Sequence, residues 1–226
     1  MLRAALWPVL ERDVFAAETT PTLFNFYRDE DPALDQVGAA AQRRAHLAAY
    51  LDAFDVPGPA RPDVLLLAEA PGPHGTRFSG IPFAAEAFLV DPAYPVAGRP
   101  TSREAERTGR PLGEYSSGIV RRTLAPYPGR VFIWSTVPLH PHPAGQPRKI
   151  RTPTRAEAAQ FAPVVEAVVA AVQPRLVLAV GRVAERTLAG LGIGARYVRH
   201  PSQGGARLFA DGVRAALDAL SPTPSP

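Results

Sequence analysis

Residues 64–72 read VLLLAEAPG, an apolar run that ends at Glu69 and then breaks at Pro71 and Gly72. The strands of a parallel sheet are buried on both faces, and they form unbroken apolar runs of this kind. In open α/β sheets, ligands bind just beyond the carboxyl ends of such strands. We therefore expect Glu69 to lie in a binding or catalytic site.

Two other segments end in side chains that could reach the same site. Phe83 closes the segment SGIPF (residues 79–83), and a later apolar segment runs into His200, Pro201 and Ser202. A carboxylate, an aromatic ring and an imidazole would then stand at the ends of neighbouring strands and loops. We expect Glu69, Phe83 and His200 to line one small pocket.

Strand and helix patterns alternate along the rest of the chain. The predicted strands are 63–68, 131–134, 176–180 and 196–199. The predicted helices are 34–54, 119–124, 154–172, 181–191 and 207–220. The first has the apolar face Leu34, Val37, Ala41, Ala45, Ala48 and Leu51, and the second begins near 116–117. The third begins with a capping box formed by Thr154 and Glu157. Residues 91–113 are predicted to form a long loop.

This alternation predicts a three-layer α/β/α sandwich around a four-stranded parallel sheet. With no internal repeat and no interior linker, residues 1–220 are expected to form a single domain. The closing Pro/Ser segment, 221–226, is expected to be a disordered tail.

The composition excludes several classes of site. The 226-residue chain contains no cysteine, so disulfides, thiolate metal sites, iron–sulphur clusters and cysteine nucleophiles are excluded. No apolar run approaches the roughly 18 residues of a membrane span, and the N-terminal segment lacks a signal-peptide pattern. We expect a cytoplasmic protein with no membrane partner.

The charge balance is basic, with a net charge of +4 and a pI of about 9.8. Lys149 is the only lysine, so the positive charge is almost entirely arginine. This balance suits a phosphate-rich partner. An arginine-rich composition throughout the chain would explain it equally well.

Four motifs in order resemble the uracil-DNA glycosylase superfamily, in particular bacterial members whose first motif is Glu-Ala-Pro-Gly. They are EAPG (69–72), GIPF (80–83), WSTVPLHPH (134–142) and HPS (200–202), each near a predicted strand end. The similarity runs from about residue 63 to 212. It implies a four-stranded parallel sheet between helices and hydrolysis of the bond that joins a damaged base, usually uracil, to deoxyribose.

The resemblance also implies roles for the three convergent residues. Glu69 would position water or stabilise the sugar cation, Phe83 would stack on the flipped base, and His200 would stabilise the departing pyrimidine oxyanion. Each has a structural alternative. Glu69 could be a buried acid bonded to backbone amides, Phe83 a plain core ring, and His200 a satisfied core histidine.

The chain departs from the family at three positions of the predicted substrate-binding set, which comprises Ala70, Pro71, Gly72, Phe83 and Ser135. Ser135 stands where the family usually has an Asn that reads the pyrimidine edge. Ala70 stands where the best-known members carry a catalytic Asp, and Gly72 where they carry a Tyr that excludes the thymine methyl group. A hydroxyl lacks the fixed donor–acceptor pair of an amide. We therefore expect a wider or wetter pocket, and the identity of the base stays open.

The predicted DNA contacts lie mainly in the glycine-containing loop after His200, where backbone amides could approach phosphates. They are Ser202, Gly204, Gly205 and Arg207, with Arg207 and Leu208 as alternative wedge residues. Further candidates for phosphate contacts are Arg77, Ser116, Ser117, Lys149 and Arg151. For each of these, an ordinary surface residue is the favoured alternative.

Together these features predict a monomeric, monofunctional DNA glycosylase that uses neither cofactor nor metal. A bifunctional glycosylase needs an amine nucleophile, and Lys149 has no predicted place in the pocket. His140 and His142 lack the thiolates or nearby carboxylates that would complete a metal site. Two alternatives stay open: a non-catalytic DNA- or damage-binding protein on the same fold, and an unrelated α/β enzyme for a small anionic substrate.

Overall fold

The computed structural model describes residues 1–55 and 62–220, so the predicted tail at 221–226 lies outside the described residues. In chain order the helices are α1 (Leu2–Leu10), which continues into a π-helical turn (Glu11–Phe15), α2 (Ala39–Asp52), α3 (Thr76–Ser79), α4 (Glu86–Leu89), α5 (Arg103–Thr108), α6 (Tyr115–Leu124), α7 (Arg155–Gln160), α8 (Ala162–Val172), α9 (Arg182–Gly190) and α10 (Ala206–Leu220). The strands are β1 (Leu23–Phe24), β2 (Val64–Ala68), β3 (Val131–Ser135), β4 (His140–Pro141), β5 (Leu176–Val180) and β6 (Arg196–Val198).

Four strands form a parallel sheet in the order β3-β2-β5-β6, as predicted, and β1 pairs with β4 in a separate antiparallel ribbon. In the parallel sheet Val64 lies opposite both Val131 and Leu176, so β3, β2 and β5 start together. They also end together, because Ala68 lies opposite Ser135. Glu69 and the residues that follow Ser135 and Val180 therefore emerge at one edge of the sheet.

Both faces of the sheet are covered, which explains the unbroken apolar sequence of β2. Leu65 and Leu67 pack in a core with α1, α2 and α8, whereas Val64 and Leu66 pack in a second core with α6 and α10. All four side chains are fully buried. Successive side chains of a strand point to opposite faces, so each face needs its own apolar set. The three-layer prediction is confirmed.

The helix predicted at 34–54 begins only at Ala39, after Gly38 in a left-handed conformation. Its predicted apolar face is half right, because Leu34, Ala48 and Leu51 are buried. Ala41 and Ala45 are exposed, and Val37, which precedes the helix, is 94% exposed. The buried face instead carries a charged residue, Arg43, beside leucine and tyrosine side chains. A pattern search for apolar residues cannot find a face built around a buried arginine.

Two other boundaries differ from the sequence prediction. The predicted loop at 91–113 contains α5, because the hydroxyl of Ser102 accepts the N–H of Ala105 and caps this helix. The Thr154/Glu157 capping box is present, but the predicted helix that follows is divided into α7 and α8 at Phe161. Within the described ranges, none of the helices has the length and apolar character needed to cross a membrane.

Candidate active site

A cavity of about 520 Å³ opens at the carboxyl edge of the parallel sheet. Its walls are the turn after β2, the loop before α4, the starts of α6 and α9, the segment 150–153 and the loop after β6. Glu69, Phe83 and His200 all line it. The structure thus brings together three side chains that are far apart in sequence.

Glu69 is held by the start of α9. Its Oε1 accepts the backbone N–H of Val183 at 3.0 Å, one of the first N–H groups of that helix, which have no partner within the helix. The positive end of the helix dipole favours a carboxylate at this place. No donor among residues 1–55 and 62–220 is within hydrogen-bond distance of Oε2, which leaves this oxygen free to hold a water molecule or face a substrate.

His200 follows β6, and its ring is oriented by Ser202. The Nδ1 atom lies 3.1 Å from the backbone nitrogen of Ser202 and 2.7 Å from its Oγ. Because a backbone N–H can only donate, Nδ1 must accept, and the neutral ring therefore carries its proton on Nε2. Burial lowers the pKa of His200, while Glu69 and Glu114 oppose the shift and Arg199 adds to it. The ring is a neutral N–H donor at pH 7.

Phe83 has an uncommon backbone conformation for a bulky residue, with φ of 52°. Its N–H donates to the hydroxyl of Thr76 at 3.1 Å, which holds the backbone in place. The Phe83 ring is half-buried, and its centroid lies 5.9 Å from that of His200 at an angle of 38°. Such strained residues cluster at ligand sites, and the ring offers a stacking surface to an occupant of the cavity.

Glu114, a second carboxylate in the cavity, was not identified from the sequence. It precedes α6, and its two carboxylate oxygens accept the N–H groups of Ser116 at 2.9 Å and Ser117 at 2.6 Å. The only sequence signal is an acidic residue before two serines at a helix start, a pattern typical of many N-caps.

A family model described as the uracil DNA glycosylase superfamily matches residues 56–226. The chain belongs to the uracil-DNA glycosylase superfamily. Among solved structures, it is similar to SMUG2 of Pedobacter heparinus, with a TM-score of 0.64, 14% sequence identity and 97% of each chain covered. At that identity the likeness shows the fold alone. No curated protein sequence matches this chain.

The positions that depart from the superfamily pattern lie at the carboxyl edge of the sheet. Ser135, the last residue of β3, is 5% exposed and lines the cavity beside Ala70 and Gly72. A Cβ at Gly72 would meet no atom within 4 Å, so the space of the missing side chain is open. The backbone at Pro71 is fixed by a contact with the buried His140, whose Nδ1 lies 2.9 Å from the Pro71 carbonyl oxygen.

The DNA-contact prediction for Arg77 is wrong. Its side chain is fully buried, pairs with Asp35 at 2.7 Å and packs on the rings of Phe24 and Phe78. Arg43 pairs with the same carboxylate. A guanidinium enclosed in this way cannot reach a phosphate. Its place in α3, just before the turn that carries Phe83, makes it part of the scaffold around that turn.

The two serines at the start of α6 are also less accessible than a phosphate contact requires. Ser117 is fully buried and its hydroxyl donates to the backbone carbonyl of Glu114, so the prediction for this residue is wrong. Ser116 is 7% exposed and lines the cavity. It can therefore contact an occupant of the cavity, and its DNA contact stays a prediction.

Most of the predicted DNA-contact residues in the loop after His200 are accessible. Gly204 and Arg207 are exposed, and Ser202 lines the cavity while it orients His200. Gly205 is buried, and a Cβ there would collide with the carbonyl oxygen of His200. Gly205 therefore allows a close turn behind the histidine instead of facing a phosphate. Leu208 is 58% exposed beside Arg207.

Proposed function

We propose that this protein is a monofunctional DNA glycosylase that hydrolyses the N-glycosidic bond of uracil or another deaminated base flipped out of DNA, as in base excision repair. The convergence of Glu69, Phe83 and His200 on one cavity is the observation that supports it. No step of the proposed reaction needs a cofactor or a metal.

The first step is capture of the extruded base. A base inside a duplex is inaccessible to attack, so the nucleotide must rotate out into a pocket and be held there by stacking and edge contacts. The Phe83 ring supplies the stacking surface at the cavity wall. Stacking of a base on an aromatic ring contributes about 1–3 kcal/mol, which offsets part of the cost of unstacking.

Glu69 would act on the sugar side of the bond. As the C–N bond breaks, its electron pair leaves with the base and positive charge develops at the sugar, as in glycoside hydrolysis. The free Oε2 of Glu69 can stabilise this charge, orient a water molecule toward the C1′ carbon and accept the proton that the water loses. The contact of Oε1 with the N–H of Val183 fixes the carboxylate for this purpose.

His200 would act on the base side. The departing base carries negative charge on its oxygen, and a fixed donor at that position lowers the barrier as an oxyanion hole does. The Nε2–H of the neutral imidazole is such a donor. Loss of one donor of this kind costs about 2.7–4 kcal/mol of barrier, or roughly 10²–10³ in rate.

The position of Lys149 outside the cavity supports a monofunctional reaction. Strand cleavage by a glycosylase needs an amine that forms a Schiff base with the sugar. The only lysine of the chain is exposed on the segment before Ile150, outside the set of residues that lines the cavity. The product would therefore be an intact strand with an abasic site.

A labelled-oligonucleotide assay tests this proposal. Strands that contain uracil, hypoxanthine or xanthine, single or mismatched, should be cleaved after alkali treatment but not before. Glu69→Gln and His200→Ala should each lower the rate at least 100-fold. The matched controls are Glu106→Gln and His74→Ala, exposed residues outside the cavity, and both should keep the full rate.

The same assay distinguishes the alternative of a non-catalytic DNA- or damage-binding protein. That alternative is favoured by Ser135 and Ala70, which replace residues that the best-known members of the superfamily use. Absence of cleavage with all three bases at high protein excess, together with salt-dependent DNA binding that Glu69→Gln leaves unchanged, would establish it and overturn the glycosylase proposal.

A further inference from the structure

Glu114 is a carboxylate of fixed orientation inside the cavity. Its two oxygens accept the N–H groups of Ser116 and Ser117, at the start of α6. This is the positive end of a helix dipole, which stabilises the negative charge. The side chain is therefore fixed in place before any ligand arrives.

The carboxylate also keeps acceptor capacity toward the cavity. Each carboxylate oxygen has two lone pairs, and in the described part of the chain each receives only one backbone N–H. On its other side the carboxylate packs against Gly75, where an added Cβ would lie 3.3 Å from Oε2. Glu114 thus lines the same space as Phe83 and Ser135.

A deaminated base presents a hydrogen-bond donor, a ring N–H, that such an acceptor can bind. Uracil, hypoxanthine and xanthine each carry a ring N–H beside a carbonyl group. Cytosine and adenine, the parents of the first two, carry a ring-nitrogen lone pair at the corresponding position. A fixed anion attracts the N–H and repels the lone pair, whereas the short hydroxyl of Ser135 can rotate to suit either.

We propose that Glu114 is a specificity-determining residue that accepts the ring N–H of the flipped deaminated base and excludes bases with a lone pair there. This inference rests on the proposed function, because it assigns a role within the same cavity. Guanine and thymine also carry a ring N–H, so Glu114 discriminates against cytosine and adenine only.

The charge of Glu114 should affect the binding of the base and the rate of its release in different ways. The base gains negative charge as it departs, and a neighbouring carboxylate opposes this gain. Glu114 should therefore strengthen binding of the flipped base without accelerating its release. Glu114→Gln should weaken binding about tenfold, because charge-assisted hydrogen bonds are roughly twice as strong as neutral ones. The maximal single-turnover rate should rise, because the opposing charge is removed.

Binding to three duplexes that differ only in their central nucleotide tests the contact directly. The first contains 2′-fluoroarabinouridine, which resists cleavage, the second contains its cytidine counterpart, and the third contains a tetrahydrofuran abasic analogue. Glu114→Gln should bind the uridine duplex about tenfold more weakly. It should bind the cytidine duplex equally or more tightly, because an amide can rotate and donate to the ring nitrogen. Binding to the tetrahydrofuran duplex, which has no base, should not change.

Thr154→Ala is the matched control, since it also removes a helix cap but lies outside this cavity. It should leave all three affinities unchanged. Equal weakening of all three duplexes by Glu114→Gln would reduce Glu114 to a helix cap and overturn the inference, as would unchanged binding to the uridine duplex. If the protein cleaves no base, the proposed function fails, but the preference for uridine over cytidine still tests Glu114 separately.

Discussion

The carboxylate of Glu69 occupies the space that a side chain at Gly181 would need. A Cβ at Gly181 would lie 2.9 Å from Cδ of Glu69 and closer still to Oε1. Gly181 also has φ of 89°, immediately before the first residue of α9. The glycine therefore makes room for the acid while its backbone turns the chain so that Val183 can donate to that acid.

Gly181→Ala should displace the Glu69 carboxylate and lower the glycosylase rate at least tenfold. A backbone with φ of 89° and ψ of 173° costs a residue with a Cβ about 1–3 kcal/mol, so the free energy of unfolding should fall by a similar amount. Single-turnover kinetics and urea unfolding measure the two effects. Gly190→Ala, at the other end of α9 with no atom within 4 Å of an added Cβ, should keep the full rate. A full rate in Gly181→Ala would show that this contact does not position Glu69.

The parts of the fold and site that the sequence could predict are those with a local signature. Buried parallel strands are continuous apolar runs, and a polar residue at the end of such a run lies at the ligand-binding edge. This reasoning found β2 and Glu69. The contact between Glu69 and Val183 joins residues 114 positions apart, and no local pattern reveals it.

Burial of charge explains the failures. The predicted phosphate contact of Arg77 requires an exposed side chain, but arginine can be fully buried when it is paired. Its partner, Asp35, lies 42 positions earlier in the chain, so the pair is visible only in three dimensions. Glu114 was missed for a related reason: it belongs to no strand, and a helix start brings it to the cavity.

The rate should depend on pH through His200. Burial lowers the pKa of this imidazole below its ordinary value of 6.5, so the ring is neutral at pH 7 and becomes protonated only in more acidic solution. A proton on Nδ1 would face the Ser202 N–H and break the contact that orients the ring. The rate should therefore be constant from pH 8 down to pH 6.5 and fall only in more acidic solution.

A pH–rate profile of single-turnover cleavage measures this dependence. His74→Ala should give the same profile as the natural sequence, whereas His200→Ala should show a low rate that lacks the same acidic decline. If the decline persists unchanged in His200→Ala, another group causes it and the neutral-donor role of His200 is wrong.

Phe83 combines a stacking ring with a strained backbone, and two substitutions separate these properties. Phe83→Ala and Phe83→Gly both remove the ring, so each should weaken binding to a flipped-base duplex about 5- to 150-fold, equivalent to about 1–3 kcal/mol. Only glycine adopts φ near 52° without cost. Phe83→Gly should therefore be more stable than Phe83→Ala by about 1–2 kcal/mol in urea unfolding. Equal stability of the two variants would show that the backbone is not strained, and unchanged affinity would exclude stacking.

Asp35 is the shared partner of two fully buried arginines, Arg43 and Arg77. Burial raises the pKa of Asp35, but both guanidinium groups lower it, and the net effect is a lowered pKa. Asp35→Asn would leave two buried cations without a counter-charge, and loss of one partner of a buried pair costs about 3–5 kcal/mol. Urea unfolding should show this loss, whereas Asp13→Asn, in a surface pair with Arg12, should change stability by less than about 1 kcal/mol.

Arg207 and Arg77 should differ in their contribution to DNA binding, because one is exposed at the loop after His200 and the other is enclosed. Each phosphate contact contributes about −0.9 to the slope of log affinity against log salt concentration. Arg207→Ala should therefore reduce the slope by about 1 and weaken binding to damaged and undamaged duplexes alike. Arg77→Met should leave the slope unchanged, measured on whatever fraction of that variant folds. A reduced slope in Arg77→Met would mean that the buried ion pairs of Asp35 with Arg43 and Arg77 open when DNA binds. An unchanged slope in Arg207→Ala would place the DNA backbone away from the start of α10.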